Sequence, residues 1–145
     1  MIKMTEVFGF ASQEVLKDFE RKHAFSLPDE YKLFLTHQNG GVPNLGNFIV
    51  PGWGESLVIL FYGIGIGGTN DIESTIKSFR DLLDLDVVPI GDDPGGNQIC
   101  LGLRNERFGK VYFWDHNDWD DEGNPGEPIE IASSLGNFFA LCKSD

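Results

Sequence analysis

With 145 residues, 41% of them hydrophobic and including 12 Phe, 3 Trp and 3 Tyr, the chain has apolar mass for one packed core and little room for a second. Its net charge of −12 is uneven: residues 1–80 hold nine acids against seven bases, and residues 81–145 hold 14 against four. That field repels nucleic acid and anionic lipid and speeds encounter with basic partners, and no stretch approaches the ~20 apolar residues of a membrane span.

The opening residues, Met1 to Glu6, lack the basic-then-apolar pattern of a leader. The two cysteines, Cys100 and Cys142, belong to no Cys-x-x-Cys pair or Cys/His cluster. The expectation is one cytoplasmic domain over residues 1–145, with two buried free thiols behaving as small hydrophobes.

In chain order, Ser12 caps a first helix over roughly 12–23, with Val15, Leu16 and Phe19 on one side. Leu27-Pro28-Asp29-Glu30 opens a second helix, with proline and two acids in its first turn. Tyr31, Phe34, Leu35 and Gln38 then follow helical spacing, and Asn39-Gly40-Gly41 supplies a left-handed stop. The period then changes. Phe48–Val50 and Leu57–Tyr62 read as strands, and a third helix over 71–84 carries Ile72, Ile76, Phe79 and Leu83. Strands follow at Val87–Ile90, Gln98–Leu103, Lys110–Trp114 and Pro128–Ile131, before a last helix over 134–143. Helices and strands do not alternate regularly. The pattern predicts an α+β fold, a mostly antiparallel sheet of five to six strands wrapped by about four helices.

Several motifs touch on chemistry. Gly63-Ile64-Gly65-Ile66-Gly67-Gly68 matches a dinucleotide fingerprint, but Thr69-Asn70-Asp71 intervene before the helix, and Asp71 sets an acid where a phosphate would sit. Asp118 to Gly123 imitates the first half of a calcium loop, yet its twelfth position is Ile129 where a bidentate Glu is needed. His23 and His37 fall near helix ends. His116 follows Asp115 without a nearby nucleophile, and the pairs Asp92-Asp93 and Asp120-Asp121 read as solvated turn formers. No catalytic residue, metal site or cofactor is expected. Among the tryptophans, Trp53 and Trp114 read as core residues, whereas Trp119, set among acids, has the composition of an interface hot spot.

Leu27-Pro28-Asp29-Glu30-Tyr31-Lys32-Leu33-Phe34-Leu35 running into Asn39-Gly40-Gly41 resembles the N-terminal signature of the SUKH superfamily, the Smi/Knr cell-wall-assembly-regulator group. The likeness continues through Val88 to Asp92, Gly95-Gly96-Asn97-Gln98, Gly109 to Asp115-His116, and Ile131 to Leu141. It implies an α+β fold. It also implies bacterial relatives that are immunity proteins binding and neutralising toxins, often nucleases, and fungal relatives that regulate glucan synthesis. Positions carrying the motif are Asn39, Gly40, Gly41, Asp92, Gly95, Gly96, Asn97, Asp115 and His116. Residues 42–70 follow no family pattern, and partner choice can reside there.

The reading that results is a non-enzymatic, immunity-type protein. It would bind a basic protein partner, a toxin domain, through Asp118, Trp119, Asp120, Asp121, Glu122 and Glu127. The alternative is a regulator of cell-wall assembly, or a small-ligand sensor that closes its 63–68 glycine loop over a metabolite.

Overall fold

Local chemistry sets the first two helices. Ser12 Oγ accepts from the Val15 amide at 3.1 Å and starts α1 (Gln13–His23), which ends where Ala24 turns left-handed at φ 56°. Arg21, Lys22 and His23 occupy the last turn, where cations meet the negative helix end, and Leu16 and Phe19 face inward. Pro28 stands at the cap of α2 (Asp29–His37), which buries Tyr31, Phe34 and Leu35. The computed structural model describes residues 2–143; Met1, with which the N-terminal reading begins, lies outside the described residues, as do Ser144 and Asp145.

The expected left-handed glycine stop is not how α2 ends, because Gln38 leaves it in extended conformation. Gly40 and Gly41 instead let strands crowd together. A methyl at Gly40 would lie 2.6 Å from the Tyr62 carbonyl carbon, and one at Gly41 would strike the Glu6 carbonyl. Glycine is needed there because backbone runs past on both sides: Gly41 pairs with Val7 and with Phe61.

Seven strands form the main sheet. In spatial order they are β1 (Met4–Val7), β2 (Gly41–Pro43), β5 (Leu60–Phe61), β6 (Val87–Asp92), β7 (Gln98–Gly102), β8 (Val111–Trp114) and β9 (Ile129–Ala132), all neighbours antiparallel. The first two lie outside the sequence-based expectation, being short and largely polar or glycine-bearing. A separate two-stranded sheet pairs β3 (Asn47–Val50) with β4 (Gly54–Leu57).

Residues 57–62 are thus not one strand. Leu57 ends β4 and Leu60 begins β5. Between them Val58 N–H donates to Gly46 O at 3.0 Å and Ile59 N–H to Asp92 O at 2.8 Å, handing the chain from one sheet to the other.

The helix expected over 71–84 is also two, α3 (Ile72–Ser78) and α4 (Asp81–Asp84), broken at Phe79 and Arg80. The break coincides with a division of the core. Ile72 and Ile76 join the main cluster with α1, α2 and one face of β6–β8, whereas Leu82, flanked by Phe79 and Leu85, covers Val87, Cys100, Tyr112 and Trp114 on the other face. Leu83 of α4 packs back against the main cluster, and at the break Phe79 sets its ring edge-on to Trp114 at 5.3 Å. Strands β6–β8 are therefore buried on both faces. Ser134 caps α5 (Leu135–Leu141), which inserts Leu135 and Phe138 and sets Phe139 against Phe34 and Phe61. No helix among the described residues is long and apolar enough to cross a membrane.

Candidate partner-binding surface

The pairing of Gln98 with Trp114 brings the 93–97 turn and the segment after β8 to one end of the sheet. The β4–β5 crossover reaches the same end, since Leu60 pairs with Asp92. Most of the singled-out residues gather here.

The turn is built around Asp93. Its Oδ1 accepts from the amides of Gly95 (2.9 Å) and Asn97 (2.8 Å), and its Oδ2 from Asn97 Nδ2 (2.9 Å) and Ser56 Oγ (2.8 Å). Asn97 Oδ1 in turn accepts from the His116 amide at 3.1 Å and lies 2.7 Å from His116 Nδ1. Gly96, at φ 86°, passes beneath that imidazole. The chain Ser56–Asp93–Asn97–His116 thus ties the β3–β4 hairpin, the turn and the start of the acidic loop together. Reading the Asp92-Asp93 pair as solvated needs correction. Asp93 is 5% exposed and fully engaged, while Asp92 is half-buried with Oδ1 unpartnered among the described residues. Burial pushes the Asp92 carboxyl up to about 6, and the neighbouring Asp93 charge adds to this.

The acidic loop is exposed but ordered by its own side chains. Asp120 accepts from the amides of Glu122 and Asn124, both at 2.9 Å, and from Asn124 Nδ2 at 3.2 Å. Those Asn124 bonds hold its carboxyl below the usual range. Asp120 is therefore a turn-former whose oxygens are occupied, and Glu127 is paired with Arg107 at 2.7 Å. Among the described residues no Lys, Arg or His pairs with Asp118, Asp121 or Glu122. Trp119 remains 42% exposed although its Nε1 donates to His116 O at 2.7 Å and its ring meets Trp114 edge-on at 5.5 Å.

The two remaining tryptophans differ. Trp114 is core, as expected, but Trp53 is 41% exposed, donates Nε1–H to Asp115 Oδ2 at 3.2 Å and tilts onto Phe113 at 4.6 Å. It sits at the mouth of a groove of about 630 Å³ between the β3–β4 hairpin, the 93–97 turn and the end of α5. Sequence reasoning missed Ser56, Asp93 and this groove. Asp-Pro-Gly is an available signal for a side-chain-closed turn; nothing in the local pattern marks the outward face of the hairpin.

Other motif positions are structural. Asn39 is buried and pairs with the Ile64 backbone twice, donating to its carbonyl and accepting from its amide, each at 2.8 Å. The glycine run is closed by Asp71, whose Oδ2 accepts from Gly67 N–H at 2.8 Å while Oδ1 accepts from the Glu73 amide and caps α3. An amide that a phosphate would use is already taken. His23 pairs with Glu73 at 2.7 Å, and His37 Nδ1 lies 3.0 Å from the Leu33 carbonyl. Both cysteines are buried free thiols; burial pushes Cys142 up to about 12 and Cys100 higher still.

A seven-stranded antiparallel sheet clasped by helices on both faces, with an ordered acidic loop at one end, defines an α+β domain. The sequence matches the SMI1 / KNR4 family (SUKH-1) over residues 11–141, and the chain belongs to that family. It is also similar to the SPbeta prophage-derived uncharacterized protein YokK of Bacillus subtilis (strain 168), with 28% identity over 123 residues, covering 72% of this chain and 62% of that protein. The match thus spans less than two thirds of that relative's length.

Proposed function

We propose that this chain is a non-catalytic, immunity-type protein that acts in the cytoplasm by binding a basic toxin domain, a nuclease, and masking its active surface. The observation that carries this is Trp119, a large aromatic left 42% exposed while pinned by a hydrogen bond and a ring contact. A pre-ordered anchor loses little freedom on binding, and aromatic anchors of this kind dominate interface energies. Around it Asp118, Asp121 and Glu122 offer unpaired charge suited to a cationic surface. Family membership and the prophage derivation of YokK agree with a role in conflict between genetic elements.

The test is co-expression with a basic nuclease toxin domain, taken from a neighbouring reading frame where one encodes it. Restored growth and a stable stoichiometric complex are expected. Trp119→Ala should weaken binding by roughly 30-fold, equivalent to about 2 kcal/mol. The triple change Asp118→Asn, Asp121→Asn, Glu122→Gln should slow association and flatten its salt dependence. Unaltered binding by both variants would remove this surface from the interface. The cell-wall regulator reading uses the same platform with a different partner, and the absence of any toxin-linked growth phenotype would favour it.

A further inference from the structure

The β3–β4 hairpin carries a face that its own fold leaves open. Register sets Asn47 opposite Leu57 and Ile49 opposite Glu55, so these four share one side, while Phe48 and Val50 are buried on the other. On that side Ile49 is 70% exposed, and Leu57 and, across the groove, Leu141 are exposed as well. A two-stranded sheet is marginal on its own, yet this one is fixed by Ser56 Oγ on Asp93 and by reciprocal backbone bonds between Asn47 and Lys143 at 2.8 and 2.9 Å. The groove is therefore preformed, and its volume of about 630 Å³ lies within the usual range for binding sites.

Its two ends differ in charge. At the hairpin turn Trp53 lines the groove together with Glu55, while Asp115 holds its indole N–H, and neither carboxylate is ion-paired among the described residues; at the far end stand Leu57, Leu141 and Lys143. A cation favours an aromatic face flanked by carboxylates. We infer that this groove receives an extended segment of the partner, with an apolar side chain between Leu57 and Leu141 and, two residues along, an Arg or Lys over Trp53 facing Glu55. The two-residue spacing follows from the alternation of side chains on an extended chain. A second copy of this chain, itself at −12, fits the acidic end poorly. The inference rests on the binding-protein reading and adds a second contact, separate from the Trp119 loop.

The probe is acetyl-Gly-Leu-Ser-Arg-Gly-amide, titrated to millimolar concentration while the Trp53 indole N–H (assigned with Trp53→Phe) and the Ile49, Leu57 and Leu141 methyls are followed by NMR. Saturable shifts at these groups are expected, weakened at least tenfold when the peptide Arg becomes Glu, with Glu55→Lys reversing that preference. Shifts confined to Trp119, no shifts at all, or equal affinity for a peptide with norleucine in place of Arg would each overturn the inference. So would concentration-dependent dimerisation abolished by Leu57→Glu, which would assign the groove to a second copy. Because the probe needs no toxin, groove binding with no toxin complex would sink the immunity reading alone; a toxin complex indifferent to Glu55→Lys and Leu57→Glu would sink the groove alone.

Discussion

Trp53 and Trp119 pack on aromatic rings of opposite sheet faces, Phe113 and Trp114, yet their indole N–H groups are held by consecutive residues, Asp115 and His116. The end of one strand thus positions both exposed aromatics. Asp115→Ala removes the acceptor of the Trp53 indole and of the Asn117 amide but leaves the His116 carbonyl that holds Trp119: the Trp53 indole resonance should shift well beyond that of Trp119. Because both lost bonds are exposed, the stability lost should be about 1 kcal/mol. A ¹⁵N–¹H spectrum and a urea titration check both parts.

Asp93 is the residue on which the turn depends. Removing its carboxylate leaves the amides of Gly95 and Asn97, the Asn97 side chain and Ser56 without their acceptor. Asp93→Ala should cost about 3 kcal/mol by urea denaturation, and Ser56→Ala, which removes one of the four donors, about 1 kcal/mol.

Asp92 makes stability depend on pH in the direction opposite to that of most carboxylates. Its folded value of about 6 lies above the ordinary 3.8. Between these values the folded chain therefore holds a proton that the unfolded chain has released, and this group's contribution to stability falls as pH rises from 4 to 6. Asp92→Asn removes the dependence. Its melting temperature should exceed that of the unchanged protein at pH 7 and converge with it near pH 4.

Glu127 offers a contrast. It pairs with Arg107, whose guanidinium also lies over the Tyr112 ring at 5.0 Å, but Glu127 itself is well exposed. Glu127→Gln should change stability by no more than about 0.5 kcal/mol, as an exposed ion pair does. Partner binding should change less than with Glu122→Gln.

Much of the frame is legible in the sequence, because Ser12, Pro28 and Ser134 act on their own neighbours and β7 and β8 each carry a compact apolar run. What is hidden depends on distant contacts. β2 is three residues built round Gly41, which looks like a helix stop until Glu6 and Phe61 are seen on either side of it. Residues 72–83 keep helical spacing although they serve two cores. At the site, the acidic loop and Trp119 are readable from composition, since exposed charge surrounds them in sequence. Trp53 is not, because distant segments leave it open, and Asp93 is readable as a turn former but not as a buried one, since Ser56 closes over it from far along the chain.

The order of the sheet has a further consequence. β2 and β5 are direct neighbours, so the hairpin between them leaves and re-enters the platform at adjoining points. Within residues 44–59 the core is met by Phe48, Val50 and Val58 and the 93–97 turn by Ser56, so substitutions confined to the outward side leave these anchors untouched. A fold arranged this way tolerates change on that outward side without repacking its core.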